Sequence, residues 1–578
     1  MVKDTDNTGG MRNFVSPTPG VFPPPESMRP TLLGSEYMIS AGHPLVAHVA
    51  AEVLEKGGTA IDAGVAAGLA SNVIQVDMCN FGGVAPTLVR QAGSDKVWSL
   101  SGVGYWGRKV TIEKFIQRYG NDMPLGAAVG VVPAAPDVWL TTLEKFGTWS
   151  FKDVVASAIH YAEEGFPLDY RTATALELLG RGFSKWESSK TIYHPRGRPP
   201  KLGERIVQKD LASLLKTLAN AEQGTDRTNA LDNIRQTFYQ GEIAEQLVRF
   251  NEQEGGWLTK EDLAEFRCEV EEAASYTYHG HTVHTTGMIS QGPVLLQSLS
   301  ILEHFDLPAL GHNSADYIHI LVEATKLAFS DRERFYGDPK FTDVKLDNLL
   351  SSNHVKNLRG MIQKDKALPD LVAAQLQGQG RLDTTYFCIV DKQGNAFSSM
   401  PSDTLDGAPI VPGLGIITSP RGVQSRLDPK HPASLQGGKR PRLTPAPALA
   451  LRGEHVMAFG CPGGDVIVQS MLQAFLNIVH FDMLPQQAVE AARVATFAFP
   501  GSFFPNVHIP GLLSVEARIS ETIRNDLAQR GHNVRVWPEY EFDAGGVSLV
   551  CDLQTSTKDK RILAGAADPR RTNYAWGR

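Results

Sequence analysis

The sequence has few cysteines, and their spacing could not hold a structure together. The five cysteines are far apart and odd in number, and no two of them form a CxxC pair. A disulfide framework needs paired cysteines, and a structural zinc site needs closely spaced ligands. The pattern therefore argues against both and favours a reducing compartment. The cysteines are Cys79, Cys268, Cys388, Cys461 and Cys551.

Long apolar runs are also missing. No stretch has the roughly 18 consecutive apolar residues that cross a bilayer. The first residues carry acids and prolines, whereas a secretory signal needs a basic start followed by an apolar run. We expect residues 1–30 to be a disordered arm, and the protein to be soluble and cytoplasmic.

Concentrated positive charge is the third absence. The formal net charge is -7, and the lysines and arginines are scattered along the chain. This balance gives no electrostatic footprint for nucleic acid or for an anionic membrane. With 42% hydrophobic and 21% charged residues the chain has the composition of a folded globular protein, and a small molecule is the expected partner.

The order of patterns along the chain is that of a mixed α/β protein. Residues 40–68 predict two helices separated by Gly57 and Gly58, and the second helix is rich in small residues, which indicates close packing. Between Asp338 and Arg381 the sequence becomes polar and rich in Gln and Gly, as in an exposed connection. A β-rich segment, TTYFCIVDKQGNAFSSM, begins directly afterwards at Thr384.

A threonine at that place can act as an N-terminal nucleophile. A threonine hydroxyl needs an adjacent base, and a freed α-amino group, whose pKa is about 8, can provide one on the same residue. Cutting the bond between Asp383 and Thr384 would create that amine. An ordinary threonine at the start of a strand would give the same local pattern, so the residues alone leave both interpretations open.

The segment DTTYFCIVDKQGNAFS resembles the catalytic signature of the gamma-glutamyltranspeptidase family, in which the first threonine of the pair begins a small subunit. Other segments are similar to family segments in family order: GGTAIDAGVAA, LTKEDLAEF, GHNSADYIHILVEATKLAFSDRERFYGDP, GKRPRLTPAPAL, CPGG and GAADPR. The resemblance covers almost the whole chain.

This resemblance implies a four-layer αββα sandwich of the Ntn-hydrolase type, built from two fragments of one precursor. The large fragment would comprise residues 31–383, and the small fragment, residues 384–578, would begin with the nucleophile. By the same similarity, Gly463 and Gly464 would hold the oxyanion through backbone N–H groups, and Ser402 would supply a second hydroxyl. Thr385 belongs to the motif, but strand alternation should turn its side chain away.

Several residues that recognise a glutamyl group in the family are absent here. After the segment NFGGVAPTLV the family places an arginine in a short acidic motif, and the corresponding stretch here, WSLSGVGYWGRK, has no arginine before Arg108. Leu443 and Thr444 stand where the family has paired serines, and Thr404 stands where it has an asparagine. The remaining motifs look more like the acylase-like or oxamate-amidohydrolase-like branch. The candidate substrate-binding residues are Thr404, Arg421, Arg442, Thr444 and Asp465.

We therefore predict an autoprocessing amidohydrolase that cleaves a small, non-glutamyl amide through a threonyl acyl-enzyme, without a metal or organic cofactor. The two fragments should associate as a heterodimer, and further dimerisation is left open. Two alternatives are a gamma-glutamyltransferase or glutathione hydrolase, and an unprocessed homologue that acts as a binding protein. The segment YHGHTVH offers His279, His281 and His284 as zinc ligands, but we expect them to be surface or packing residues.

Overall fold

A computed structural model of the chain describes residues 27–224, 226–371, 383–553, 555 and 560–578. Most of the arm predicted at residues 1–30 lies outside this range. Residues 27–30 run along the surface, and the Glu490 carboxylate accepts hydrogen bonds from the amides of Met28 (2.6 Å) and Arg29 (3.2 Å). No helix within the described residues is long and apolar enough to span a membrane.

The strands of the described residues are short. They are β1 (Leu32–Gly34), β2 (Tyr37–Ala41), β3 (Thr87–Arg90), β4 (Val97–Leu100), β5 (Phe166–Pro167), β6 (Arg205–Ile206), β7 (Val270–Glu272), β8 (Ala274–Tyr278), β9 (His281–Thr285), β10 (Phe387–Asp391), β11 (Ala396–Ser399), β12 (Ile410–Val411), β13 (Ile416–Ile417), β14 (Ala448–Arg452), β15 (His455–Gly460), β16 (Val494–Thr496), β17 (Leu512–Glu516), β18 (Asn533–Trp537), β19 (Ser548–Asp552), β20 (Leu563–Ala567) and β21 (Tyr574–Gly577).

The α-helices of the described residues lie in groups between the strands. They are α1 (Pro44–Glu55), α2 (Ala60–Ile74), α3 (Ile112–Tyr119), α4 (Ala135–Phe146), α5 (Phe151–Glu164), α6 (Tyr170–Phe183), α7 (Glu187–Tyr193), α8 (Lys209–Asn220), α9 (Arg227–Tyr239), α10 (Glu242–Gln253), α11 (Lys260–Ala264), α12 (Gly292–Leu302), α13 (Leu307–Leu310), α14 (Ala315–Phe335), α15 (Leu346–Leu349), α16 (Ser352–Met361), α17 (Ile467–Phe481), α18 (Pro485–Glu490) and α19 (Glu521–Gln529).

Two seven-stranded antiparallel sheets form the centre of the molecule. Their strand orders are β1-β20-β19-β15-β14-β9-β8 and β21-β2-β10-β11-β3-β4-β7. The sheets pack face to face, with β10 against β15 and β19, while α1 and α2 cover the outer face of one sheet and α12, α17 and α18 cover that of the other. This arrangement confirms the predicted four-layer αββα sandwich.

The two predicted N-terminal helices are present as α1 and α2. A capping box at Thr59 and Asp62 starts α2, and every residue of that helix is buried. A Cβ atom at Gly64 would lie 2.3 Å from the Phe397 ring, and one at Gly68 would lie 2.5 Å from the Trp139 ring. The small residues of α2 therefore permit the close packing that the sequence predicted.

The polar stretch after Asp338 is only partly the exposed connection that we expected. It contains α15 and α16, and the Ser351 side chain caps α16 by accepting a hydrogen bond from the His354 amide at 3.4 Å. Both helices are short and mostly exposed, so their composition resembles that of a loop. The Gln/Gly-rich part of the prediction, residues 372–382, lies outside the described residues.

Candidate active site around Thr384

The hairpin formed by β10 and β11 places Thr384 opposite Ser402. In its register Phe387 pairs with Ser399, and the same pairing continued by three residues gives the isolated bridge between Thr384 and Ser402. The four-residue turn 392–395 thus fixes the spacing of these two hydroxyl groups. Both side chains are buried, so their geometry is set by protein groups rather than by solvent.

Three groups contact the Ser402 hydroxyl. The Thr384 Oγ1 atom lies 2.9 Å from Ser402 Oγ, which donates a hydrogen bond to the carbonyl oxygen of Asp383 at 2.8 Å. The guanidinium of Arg421 also donates to Ser402 Oγ. A serine hydroxyl has one proton and two acceptor sites. Because the Ser402 proton points to the Asp383 carbonyl, Ser402 Oγ accepts a hydrogen bond from the Thr384 hydroxyl. The Ser402 hydroxyl therefore polarises both the nucleophile and the carbonyl that precedes it.

Asp403 holds Arg421 behind this pair. Its carboxylate forms an ion pair with Arg421 and accepts a hydrogen bond from Ser419 Oγ at 2.6 Å. Asp403 has φ +97°, a conformation that costs a non-glycine residue about 1–3 kcal/mol. Arg421 is fully buried in this network, so it supports Ser402 rather than facing an open pocket.

Hydrogen bonds connect this network to the predicted oxyanion turn. Gln424 accepts from Arg421 at 3.3 Å and donates to Thr444 Oγ1 at 3.3 Å. The Gln291 amide nitrogen donates to the carbonyl oxygens of both Thr444 (2.9 Å) and Gly464 (2.7 Å). Thr444 therefore links the Ser402 side of the site to the Gly463–Gly464 turn.

The Gly463–Gly464 turn has a conformation that suits glycine. The φ angles are +133° at Gly463 and +62° at Gly464. Among the described residues neither amide N–H has a hydrogen-bond acceptor, which leaves both free to bind one. The next residue, Asp465, is held by an ion pair with Arg332 and by the Ser502 amide at 2.8 Å. Asp465 thus anchors the end of the turn.

An unpredicted residue, Arg571, holds the side chain before the nucleophile. Its guanidinium donates to both carboxylate oxygens of Asp383 at 3.0 Å, and the Thr384 amide donates to the same carboxylate at 2.9 Å. Burial opposes ionisation of Asp383, but the charges of Arg571 and Arg171 outweigh it and lower its pKa below the ordinary value. Arg571 directly follows the motif GAADPR, and this position next to the motif is the one sequence signal that could have suggested a role for Arg571.

The candidate residues Thr404 and Arg442 bond to acidic side chains. Thr404 is buried and donates to Asp406 at 2.6 Å. Arg442 is fully buried against Glu333, at 2.6 Å, in a cluster that also contains Arg332. Burial, together with the neighbouring cations, lowers the pKa of Arg442 to about 9. These contacts place Thr404 and Arg442 in supporting networks, and their predicted role in substrate binding stays a prediction.

Arg108 and Thr385, two further residues singled out in the sequence, bond to groups other than Thr384. Arg108 is half exposed and pairs with Asp262 (3.4 Å) and Glu265 (2.8 Å), so it does not reach into the site as a carboxylate clamp. Thr385 is turned away from Thr384, as strand alternation predicts, and donates to Gln75 at 2.9 Å.

The histidines of YHGHTVH do not converge on one point. His279 is an exposed turn residue with φ +45°, whereas His281 and His284 are three residues apart on β9 and so lie on opposite faces. A second group, His319, Glu323 and His532, has ligand atoms close together. There, the ammonium of Lys326 lies 3.1 Å from Glu323, and His319 bonds directly to His532 at 2.9 Å. A cation in that position and a direct imidazole contact indicate a structural network rather than a metal centre.

The chain is similar over most of its length to known proteins of one family. The family model described as gamma-glutamyltranspeptidase matches residues 46–577. The glutathione hydrolase-like YwrD proenzyme of Bacillus subtilis (strain 168) is 30% identical, covering 95% of this chain and 100% of that protein. The acylase ACY 1 proenzyme of Pseudomonas sp. (strain SE83) is 31% identical over 92% of each.

A solved structure extends the likeness to the fold. The crystal structure of the cephalosporin acylase from Bacillus halodurans is 28% identical and superimposes with a TM-score of 0.84, covering 98% of this chain and 99% of that one. Acylases among the relatives fit the expected acylase-like branch. The YwrD and ACY 1 relatives are both named proenzymes, which indicates that they are precursors that undergo processing. The chain thus belongs to the gamma-glutamyltranspeptidase family and is an Ntn-type amide hydrolase.

Proposed function

We propose that the chain cuts itself between Asp383 and Thr384, and that Thr384 then hydrolyses a small non-glutamyl amide. The observation that carries this proposal is the contact of Ser402 Oγ with both Thr384 Oγ1 (2.9 Å) and the Asp383 carbonyl oxygen (2.8 Å). One buried hydroxyl thus accepts from the nucleophile and donates to the carbonyl that the nucleophile must attack.

Processing begins with attack of Thr384 Oγ1 on the Asp383 carbonyl carbon. The C–N bond breaks as the C–O bond of an ester forms, and the proton of the hydroxyl ends on the new amine. Ser402 stabilises the negative charge that develops on the carbonyl oxygen, and the adjacent Arg421 guanidinium makes its hydroxyl a stronger donor. Water then hydrolyses the ester and leaves Thr384 as a free N-terminus.

Turnover of a substrate repeats the same chemistry between molecules. The α-amine of Thr384, with an ordinary pKa of about 8, takes the hydroxyl proton and delivers it to the leaving amine. The two amide N–H groups of Gly463 and Gly464 are the proposed oxyanion donors. Removal of one such donor costs about 3–4 kcal/mol of transition-state stabilisation in other enzymes.

A gamma-glutamyltransferase or glutathione hydrolase is the second candidate, because several relatives carry glutathione hydrolase or glutathione hydrolase-like names. The contacts of Arg108 favour a non-glutamyl substrate, since this arginine is paired at the surface with Asp262 and Glu265. A substrate α-carboxylate would need another cation.

The test is release of nitroaniline from gamma-glutamyl and simple acyl nitroanilides by processed protein, with Thr384→Ala as the control. We expect the acyl anilides to be cleaved faster by the wild-type protein and neither to be cleaved by the variant. Faster cleavage of the glutamyl anilide would establish the second candidate instead. Turnover by Thr384→Ala would exclude Thr384 as the nucleophile.

A further inference from the structure

We propose that Arg571 is a receptor for a substrate carboxylate, and that the acyl group of the substrate carries this carboxylate two carbons from the scissile carbonyl, as in a succinyl amide. This inference rests on the proposed function of Thr384, and it names the substrate class of the same site.

Arg571 is built into the site as a rigid, buried cation. Its side chain is only 4% exposed, and its guanidinium carbon lies 3.9 Å above the Phe542 ring. A Cβ atom at Gly546 would lie 2.8 Å from Arg571 Cδ, so a glycine there leaves room for the stem of the arginine. The guanidinium thus directs its Nη1 atom toward Asp383, with 3.0 Å to each carboxylate oxygen.

In the uncut chain Asp383 is the anion that neutralises this cation. Both hydrogen bonds come from Arg571 Nη1, one to each oxygen of the carboxylate. Besides this pair, the contacts of the Arg571 guanidinium within the described residues are a 3.4 Å bond to the Phe542 carbonyl and the ring itself, and its Nε atom has no partner. The nearby Arg171 has its own carboxylate, because it donates to Asp77 at 2.7 Å.

Processing removes the covalent link that keeps Asp383 in place. Hydrolysis of the ester separates its carboxyl group from Thr384, and the aspartyl side chain becomes exchangeable. A buried guanidinium without a counter-ion is strongly unfavourable, so the mature site favours an anion at the same position. A substrate carboxylate is an anion that arrives with each turnover.

The chemistry of processing also sets the position of that carboxylate. The processing ester joins Thr384 Oγ1 to the carbonyl carbon of Asp383 and is therefore an acyl-enzyme. In its acyl group two carbons, Cα and Cβ, separate the ester carbonyl from the side-chain carboxylate. A succinyl group has the same number of carbons between its carbonyl and its carboxylate. A Cβ atom at Gly463 would lie 3.7 Å from Arg571 Nη2, so the receptor adjoins the proposed oxyanion turn.

The reaction balances without a further reactant. Thr384 Oγ1 displaces the amine from the succinyl amide, the hydroxyl proton goes to the amine, and a succinyl ester forms. Water then hydrolyses the ester, which releases succinate and restores the hydroxyl.

The experiment compares nitroanilides of a chain-length series on processed wild-type protein: oxalyl, malonyl, succinyl, glutaryl, gamma-glutamyl and uncharged butyryl. We expect the highest kcat/KM for the succinyl anilide, exceeding that of the butyryl anilide roughly 10- to 100-fold, the size expected for a charge-assisted hydrogen-bonded pair. Equal rates for the succinyl and butyryl compounds, or a maximum at another acyl group, would overturn the inference and leave the proposed function intact. No cleavage of any anilide by processed protein would overturn both.

Variants separate recognition from structural damage. In Arg571→Gln the succinyl-to-butyryl ratio of kcat/KM should fall at least about tenfold, whereas Arg205→Gln, which changes an exposed arginine, should keep the wild-type ratio. A structural role for Arg571 would lower both rates and leave the ratio unchanged. Because Arg571→Gln can block processing, a second measurement uses the wild type: succinate should inhibit competitively at lower concentration than butyrate, and equal inhibition would contradict the inference.

Discussion

At the scale of single residues, the proposed function depends on one hydroxyl that contacts two partners. Ser402 accepts from Thr384 and donates to the Asp383 carbonyl, and Arg421 donates to it from behind. The family resemblance predicted Thr384, Ser402 and the two glycines, because their roles follow from short motifs. It also pointed to Arg421, but as a residue facing the substrate.

Removing the Ser402 hydroxyl should slow both processing and turnover. In Ser402→Ala the developing oxyanion loses a donor, and we expect a loss of about 100- to 1000-fold, the cost of one oxyanion donor elsewhere. The rate of cutting, followed on a denaturing gel, measures it. Ser402→Thr should retain the reaction. Ser399→Ala is the matched control, since it removes a buried hydroxyl that bonds Thr87 at 2.8 Å on the same hairpin. Equal cutting by Ser402→Ala and wild type would contradict the assignment.

The Asp383–Arg571 pair should make the uncut chain sensitive to acid. The pKa of Asp383 is lowered on folding, so its ionised form stabilises the fold above its unfolded pKa, near the ordinary 3.8, and this contribution is lost as the pH falls through the lower folded value. In a Thr384→Ala background, Asp383→Asn should reduce the free energy of unfolding by about 3 kcal/mol near neutral pH, because it leaves Arg571 unpaired.

The difference in unfolding free energy between Thr384→Ala and the double variant should shrink below about pH 4, where Asp383 of the unfolded chain begins to take up a proton. Urea unfolding at several pH values measures it. A difference that stays constant between pH 7 and pH 3 would show that the ion pair does not stabilise the uncut chain.

The contact of Arg571 with the site could not be predicted from the sequence. Its partner Asp383 is 188 positions away in the sequence. The guanidinium reaches the site only because the turn after β20 lies beside the start of β10. Neither spacing nor residue type indicates that contact without the fold.

At the scale of elements, a hairpin and a glycine turn bring the site together. The strand run after Thr384 and its turn were predicted correctly, and the register of β10 and β11 explains why the second hydroxyl lies eighteen residues on. The helices α15 and α16 were missed because short, largely exposed helices have little apolar periodicity.

The Gly463–Gly464 turn should tolerate the volume of a side chain but not its conformational restriction. A Cβ atom at Gly463 would meet its nearest neighbour at 3.6 Å, which is ordinary contact, but φ is +133°. Gly463→Ala should therefore shift the turn and misdirect its N–H groups, lowering kcat about 100-fold. Gly453→Ala, at φ +58° with no atom nearby, is the control and should lose stability without a change in kcat. Unchanged kcat in Gly463→Ala would argue against this turn as the oxyanion site.

At the scale of the whole molecule, the two predicted fragments are interleaved. In one central sheet β10 and β11 lie between β2 and β3, and in the other β9 and β8 extend a sheet that continues through β14. Glu333, from the large fragment, lies between Arg426 (2.8 Å) and Arg442 (2.6 Å) of the small fragment. Burial opposes ionisation of Glu333, but these arginines hold its pKa well below the ordinary value. The layered fold was predictable from the family motifs, whereas this arginine cluster was not, because it joins segments distant in the sequence.

The cut protein should consequently remain one particle. Shared sheets and a common core hold the fragments by backbone hydrogen bonds and apolar burial, which salt does not screen. In size-exclusion chromatography at about 1 M salt, where the screening length is only about 3 Å, both fragments should elute together and separate only in denaturant. Separate elution in salt alone would mean that the fragments meet mainly through surface charges.

The most direct test of Thr384 as the processed nucleophile is the intact mass of purified wild-type protein and of Thr384→Ala, with N-terminal sequencing of the fragments. We predict that the 62.9 kDa wild-type chain is cut and yields a smaller fragment beginning Thr-Thr-Tyr-Phe, while Thr384→Ala remains one chain. A wild-type chain that stays whole, or a Thr384→Ala chain that is cut at the same bond, would contradict it.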